Sequence, residues 1–567
     1  MGDMMFVKTV FIPKLNDSYV YLAEGYRSAS GSVKHRNVES YGRLSKLLEK
    51  DPNAVSKLEI RAEELSREGE EDTIQLMINM NATDDRNLPS KNYGYAFLQS
   101  IYNDLQIPKF ITEYQSKTNV TYPLNDILQL LVYSRCLNPA SKKKTFEGKG
   151  NYFFELPDFS LDHVYRSLGR LCSMKEELTL HLHKRITEQR GRDCSLVFYD
   201  VTNYYFASEV ENGLRQDGVS KENQTTGIVQ MGLFVDNDNI PITYELFPGN
   251  TNDMSTMKPI LQKIRKEYNL GKITIVADKG NNTGENLAYI DGGADHYIIS
   301  QRIRARGTEL ADIVLDQEDY EWNADGTFKS KTVERERTVK RTDGTSSSIT
   351  EHLLCFWSHN EEKYQRAKRG FLDEKIEKFI ENPALLNASN SFGIKKYFKK
   401  IVVDKKTGEV LNAKPSYVFD QAKYDRDLAL DGYYCIVTND LSLGPLDIIR
   451  HYHQLSKIEE SFKVTKSDLE GRPVYVWADE HIQGHFLTCY LALVLYRLLQ
   501  SRFAKPYPIH QLKEALNGAW VKELEQNIYV FEKRSELYYE IEKSFGINLN
   551  RKYIRKETLE KRLNKIR

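Results

Sequence analysis

Two stretches of this chain set an aspartate where a buried strand has no room for a bare charge. SLVFYDVTNYYF, residues 195–206, is a continuous apolar and aromatic run carrying Asp200 among Val197, Phe198, Tyr199 and Val201. KITIVADKG, residues 272–280, brings Asp278 directly after Ile275, Val276 and Ala277. Short apolar runs of this kind read as strands buried on both faces. A carboxylate inside one is costly unless it is paired, hydrogen-bonded or bound to metal. Two carboxylates brought together by adjacent strands require a raised pKa or a cation between them. Hard divalent cations such as Mg²⁺ use such oxygen ligands, together with water and substrate phosphates.

The segments between and around these strands give the order β-β-β-α-β-α-β. Two strands flank the Asp-Asn turn at 236–239 in IVQMGLFVDNDNIPITYELFPGN, then come the helix MSTMKPILQKIRKEYN, the Asp278 strand, the short helix ENLAYI and the strand HYIISQ. An α/β core with a mixed sheet is expected. A single strand-end aspartate commonly caps a turn; two of them in this order, with an acidic partner downstream, point to a shared site. That partner lies in IIRHYHQLSKIEESFKVTKSDLEGRPVYV, where Tyr452, Glu459 and Lys466 are each seven residues apart. In a continuous helix this spacing falls about 20° short of two turns, which sets all three on one face. Taken alone, the same spacing fits a surface stripe with Glu–Lys pairing. Glu460 is the rival acid, one position out of that register.

Before residue 190 the pattern changes twice. Short strands, YVYLAEGYR and VKHRNVESYG joined by the turn-like SASGS, precede a charged helical stretch, and from about 95 to 190 apolar residues recur at helical spacing. After 480 the chain reads as helical. Net charge is zero, from 80 Lys+Arg and 80 Asp+Glu. The average conceals basic runs at Lys142–Lys144, at Lys395, Lys396, Lys399, Lys400, Lys405 and Lys406, and in the tail RKYIRKETLEKRLNKIR. Such patches fit a nucleic-acid partner, although solvated helix faces produce them too. The six cysteines are far apart, with no Cys-x-x-Cys pair. That argues against a zinc site or a disulfide scaffold and suits a reducing cytoplasm. MGDMMFVKTVFIPK lacks the apolar stretch of a signal peptide, and the apolar run Phe486–Tyr496 meets Arg497 well short of a bilayer span. A soluble cytoplasmic protein with no membrane partner is expected. His481 and His485 sit one helical turn apart, but Ile482 stands where a metalloprotease helix needs Glu, so polar or packed helix positions are expected.

The strand YDVTNYYF, the strand VADKG followed by Asn286, the PGNTND and DGYYCIVTND segments, and the helix Y-x₆-E-x₆-K leading to GRPVYV together resemble the IS4-like DDE transposases. They are most similar to the IS1634 family of bacterial insertion sequences. The resemblance covers about 195–490 and reaches the first 190 residues only loosely. It implies an RNase H-like core interrupted by a β-rich insertion, with helical N- and C-terminal regions. The division expected is 1–94, strands and a charged helix for DNA-end binding; 95–192, helical, for DNA binding or dimerisation; 193–304, first part of the core; 305–430, insertion; 431–480, second part with the catalytic helix; and 481–567, helical with a basic tail. The resemblance further implies Asp200, Asp278 and Glu459 as the catalytic, metal-binding triad, two Mg²⁺ ions with Mn²⁺ able to substitute, and DNA contacts from Tyr452, Lys463, Lys466, Arg472 and Trp357. Trp357 is also readable as a buried strand aromatic. Where the signature has Arg this chain has Leu455, and Lys457 or His453 is the expected stand-in. The implied partners are double-stranded DNA, both terminal inverted repeats and target, and a second copy of the chain in an end-paired dimer. The implied chemistry is metal-dependent cleavage at the element ends followed by 3′-OH strand transfer, a cut-and-paste reaction. A catalytically silent DNA-binding derivative and a nuclease that cuts without joining are the alternatives.

Overall fold

The structure, a computed structural model, describes residues 4–27, 33–67, 90–154, 156–208, 211–218, 226–304, 309–381, 393–401, 416–524 and 527–566. The SASGS turn, together with Lys405 and Lys406 of the basic run, lies outside them. The chain opens with the antiparallel meander β1 (Met4–Ile12), β2 (Asp17–Arg27) and β3 (Val33–Arg43), followed by α1 (Leu44–Lys50) and α2 (Ala54–Arg67). After β4 (Ser90–Asn92) comes a helical block: α3 (Tyr95–Asp104), α4 (Ile107–Ser116), α5 (Leu124–Leu137), α6 (Lys142–Glu147) and α7 (Leu161–Arg190). The 30-residue α7 starts at a capping box, in which the Ser160 hydroxyl accepts from His163 N while the His163 ring accepts from Ser160 N, and it stops at Gly191.

The central sheet begins with β5 (Leu196–Tyr205), β6 (Ile228–Val235) and β7 (Pro241–Pro248), an antiparallel meander. Helix α8 (Met257–Glu267) leads to β8 (Thr274–Ala277), and α9 (Gly284–Gly292) leads to β9 (His296–Gln301). β8 lies parallel to both β5 and β9, so these five strands run in the order β7-β6-β5-β8-β9. Residues alternate between the two faces of β5. Phe198 and Tyr204 join the core formed with α5, α7 and the long helix α15 (Asp479–Gln500), whereas Val197, Tyr199 and Val201 join the core under α8 and α9. Helices thus cover both faces, which explains why these strands read as unbroken apolar runs. α15 is long and apolar enough to cross a membrane, yet 94% of its apolar window is buried within the protein, so it packs as a core helix.

The stretch 305–430, expected as a β-rich insertion, is mixed. After α10 (Leu310–Leu315), the strands β10 (Glu321–Trp322), β11 (Phe328–Lys340) and β12 (Ser346–Ser358) form no sheet of their own. β12 pairs with β15 (Tyr433–Thr438), which pairs with β9, so the hairpin extends the central sheet to nine strands. The rest of that stretch holds α11 (His359–Glu381), the small pair β13 (Phe398–Ile401) and β14 (Ser416–Phe419), and α12 (Gln421–Ala429). Beyond β15 come α13 (Pro445–His453) and α14 (Ser456–Lys463).

The C-terminal stretch differs from the all-helical expectation. Besides α15, α16 (Ile509–Asn517), α17 (Glu536–Ser544) and α18 (Lys556–Leu563), it holds β16 (Trp520–Glu523), β17 (Ile528–Phe531) and β18 (Tyr553–Arg555). These strands form a sheet with β4 from the N-terminal half. Most of the basic tail belongs to β18 and α18, with Leu559 and Leu563 buried, rather than to a free arm.

One buried ion pair fixes the 236–239 turn to the sheet. Arg192 Nε donates to Asp236 Oδ2 at 2.7 Å and its Nη2 to the Ile240 carbonyl at 2.9 Å, while Asp236 Oδ1 accepts from Ile240 N at 2.8 Å. Both side chains are essentially inaccessible. Arg192→Met strands a buried carboxylate and is expected to cost about 3–5 kcal/mol, read as a lower midpoint in urea unfolding.

Candidate active site

β5 and β8 are paired in parallel with Tyr199 opposite Ala277, so the next positions, Asp200 in the middle of β5 and Asp278 just past the carboxyl end of β8, are neighbours. Both occupy the same face. Asp200 shares the phase of Phe198 and Tyr204, and Asp278 shares that of Val276, all three in the core beside α14. Adjacent strands are about 4.8 Å apart. The carboxyl ends of parallel strands are where open α/β sheets gather ligands.

A cleft of about 530 Å³ opens beside this pair, lined by Thr202 and Asn203 of β5, by Asn250–Asp253, by Gly280 and by Arg302. The PGNTND and VADKG segments therefore meet at one place. Gln230 Nε2 holds the first by donating to the carbonyls of Gly249 (3.2 Å) and Thr251 (2.7 Å). Gly249 is required there, because a Cβ would lie 2.3 Å from the Ile228 carbonyl oxygen. Asn286 Nδ2 ties the two segments together, donating to Met254 O at 3.1 Å and Asn281 O at 3.2 Å.

The helix carrying Glu459 is not continuous. α13 ends at His453 and α14 begins at Ser456, and Val464–Asp468 winds as a π-helix. Tyr452, Glu459 and Lys466 thus sit on three successive segments, and the single-face geometry expected for an unbroken helix does not apply. What sets them is packing against β5. Lys457 Nζ lies 5.4 Å above the Phe198 ring and Lys466 Nζ 5.5 Å above the Tyr204 ring, so the segment runs alongside the strand with Asp200 between those two contacts. The Tyr204 hydroxyl is 2.6 Å from Thr465 Oγ1, which pins the π turn.

Glu460 faces α15, where its carboxylate accepts from the buried Arg497 at 3.4 Å. Glu459 is rotated about 100° away from it and is exposed. The Tyr452 phenol is pushed up to about 12, first by burial and then by the charges of Asp278 and Glu459, with the hydrogen bond to Ser300 opposing them. Ser300 Oγ also donates to Asp278 Oδ1 at 3.3 Å, linking β9, β8 and α13. Among the described residues, no three His, Cys, Asp or Glu side chains are gathered closely enough to hold a metal ion. Like charges favour separation until a cation compensates them. The donors at hand are carboxylate oxygens, the type suited to Mg²⁺ or Mn²⁺.

The other expected residues scatter. Lys463 is exposed on α14. Arg472 stacks 5.6 Å above Tyr205, five positions along β5 from Asp200. Leu455 is a core residue, and Lys457 does not replace the missing Arg, because its ammonium donates to the Asn237 carbonyl at 2.7 Å. His453 is exposed at the end of α13. Trp357 is half-buried on β12 beside Trp322 (5.7 Å) and against Gly432, whose φ of +87° and missing Cβ make room for it. It lies three strands from Asp278, roughly 17 Å away by strand and residue spacing. His481 and His485 form no metal pair; His485 is buried against Lys142 and the Gly471 carbonyl. Ser300, Gln230 and the Arg497–Glu460 pair were not foreseen, since each depends on a partner far away in sequence.

The sequence profile described as a transposase DDE domain matches residues 198–495, just over half the chain. The chain belongs to the DDE transposase family. The match takes in β5, the cleft, the insertion and the whole Tyr452–Lys466 segment. No curated protein matches the chain. Among solved structures, the chain is similar to the Mos1 transposase paired-end complex with left transposon end, at 13% identity over 32% of this chain and 59% of that one, with a TM-score of 0.15. It is likewise similar to the Mos1 mariner paired end complex with Mn, at 12% identity over 32% and 59%, with a TM-score of 0.14. The chain thus spans under two thirds of these structures, and overlap at that level defines no shared architecture.

Asn286→Ala removes the donor that joins the two cleft segments, taking a hydrogen bond from the Met254 carbonyl and one from the Asn281 carbonyl, which keeps its bond from Thr283 N. It is expected to cost about 1–3 kcal/mol, and amide hydrogen exchange should speed up at 249–254 while remaining unchanged in α7.

Proposed function

We propose that this chain is the transposase of an insertion sequence, IS4-like and closest to the IS1634 group, that cuts DNA at the element's ends and joins the freed 3′-OH to target DNA. The observation that carries this reading is the register of β5 against β8. It sets Asp200 and Asp278 side by side on one sheet face, each two residues before a residue that lines the cleft (Thr202 and Gly280), with the Glu459 helix running along that face. The strand order β7-β6-β5-β8-β9, antiparallel then parallel, supports an RNase H-like core.

Asp200, Asp278 and Glu459 would hold two Mg²⁺ ions, or Mn²⁺ in their place. When bound, such ions activate an attacking oxygen and stabilise the leaving oxygen of a phosphodiester. The chain's own residues orient the parts. Ser300 hydrogen-bonds one oxygen of Asp278, and Arg497 engages Glu460, which favours the exposed Glu459 as the third acid. Lys463, at the end of α14, and Lys466, on the π turn that follows, would serve as phosphate ligands, while half-buried Tyr452 acts chiefly by holding α13 over β9. Pairing of two element ends calls for a dimer on DNA, and the work belongs in the cytoplasm at the nucleoid.

The test is cleavage of a duplex carrying the gene's own flanking DNA, with Mg²⁺ or Mn²⁺. Asp200→Asn, Asp278→Asn and Glu459→Gln should each lower cutting by roughly 10³-fold or more while leaving DNA binding intact. Glu460→Gln should still cut, with stability changed by about 1 kcal/mol. Binding without metal-dependent cutting by the wild type would instead establish a silent DNA-binding derivative. Cutting without joined products would establish a nuclease.

A further inference from the structure

A second cavity, of about 390 Å³, lies between the loop before α6 and the 470–476 loop that follows the Lys466 segment. Its lining includes Arg135, Ser141, Lys142, Lys144, Arg472 and His485, and Glu470 is the one carboxylate among its lining residues. Lys142, from the basic run of the N-terminal half, is buried at 6% exposure at the base of the cavity. Its hydrogen-bond partner among the described residues is a neutral ring nitrogen, His485 Nδ1, at 3.2 Å. His485 Nε2 lies 3.1 Å from the Gly471 carbonyl, so Nε2 carries the proton and Nδ1 accepts from the lysine. Arg135 is also buried and donates to the carbonyls of Leu469 (3.1 Å), Glu470 (3.1 Å) and Ala140 (3.2 Å), so it braces the two walls without meeting a carboxylate.

The two buried cations, Lys142 and Arg135, meet carbonyls and a ring nitrogen but no carboxylate, and the one carboxylate lining the cavity, Glu470, is exposed at its rim. Buried charge of one sign costs several kcal/mol unless an opposite charge is supplied. Burial, reinforced by the neighbouring Arg135, pulls the Lys142 ammonium down to about 7, the expected response of a cation awaiting an anion. Phosphate oxygens suit this donor set, with the two Lys142 donors left beside the one held by His485 Nδ1 and the Ser141 hydroxyl proton.

The pocket is also joined to the candidate active site. Val474 N donates to Tyr205 O at 3.0 Å and Ala207 N to Val474 O at 3.1 Å, so the pocket's loop is hydrogen-bonded to the end of β5. Tyr205 lies roughly 17 Å along the strand from Asp200, a span of several nucleotides. The open mouth, with Lys144 and Tyr475 exposed at its rim, suits a polyanion passing across it better than an enclosed small anion.

We propose that this pocket seats one backbone phosphate of the bound DNA several nucleotides from the scissile bond, fixing the register of the strand relative to Asp200. The proposal rests on the DNA reading above, but its test does not depend on cutting. Affinity for the flanking-DNA duplex is measured at several salt concentrations with the full chain, without divalent metal, for wild type, Lys144→Gln and Lys142→Met. Each phosphate contact contributes about 0.9 to the slope of log affinity against log salt. Each variant is expected to lower that slope by about 1 and to weaken flank and unrelated duplexes equally. Should Lys142→Met fail to fold, exposed Lys144→Gln decides alone. Slopes equal to the wild type in every folded variant would overturn the proposal. Inorganic phosphate, compared with chloride at equal ionic strength, separates the other source of the anion. If phosphate raises the thermal midpoint of the wild type but not of Lys144→Gln, while the DNA slope stays unchanged, the site binds a free anion and the DNA assignment is wrong. A lowered slope in a chain that never cuts would leave the pocket standing and remove the catalytic reading instead.

Discussion

Two carboxylates held in register on neighbouring parallel strands are the constraint around which the rest of this molecule is arranged. Asp200 and Asp278 follow directly on Tyr199 and Ala277, which the β5–β8 ladder pairs. Strand periodicity then sends both acids to the face that α13 and α14 cross. Carboxylates so placed repel unless something compensates them, so the surroundings must hold the strands rigidly. Helices on both faces bury the flanking apolar residues, and the inaccessible Arg192–Asp236 pair closes the β6–β7 turn. Gln230 and Asn286 clamp the loops that wall the cleft. The core's rigidity and the cleft's chemistry share these residues.

Much of this was legible in the sequence, and for a physical reason. A strand buried on both faces reads as an unbroken apolar run, so the aspartates in 195–206 and 272–280 stood out, and the seven strands and helices around them followed in order. The seven-residue spacing of Tyr452, Glu459 and Lys466 was legible too, but the helix it suggested was not. A pattern of period seven is met equally by a continuous helix and by segments that break at Gln454 and loosen into a π turn at Val464. Leu455, just past the break, packs into the core where the signature has Arg.

What the sequence concealed depends on distant partners. Strands as short as Trp520–Glu523 and Ile528–Phe531 show no periodicity to distinguish them from a helical stretch, and their sheet is completed by Ser90–Asn92 from the other end of the chain. The 321–358 hairpin read as an insertion, but whether it forms its own sheet or extends the central one is decided by the pairing of β12 with β15. The neighbourhood of Lys142 and His485 was likewise invisible, because each residue taken alone is an ordinary helix position.

The central claim is that Asp200, Asp278 and Glu459 form one metal-binding site, and anomalous scattering from crystals grown with Mn²⁺ addresses it most directly. The account predicts anomalous peaks between Asp200 and Asp278, beside the carboxyl end of β8, with Glu459 drawn in as a ligand. Peaks that lie elsewhere, or that engage Glu460 while Glu459 stays in solvent, would contradict it.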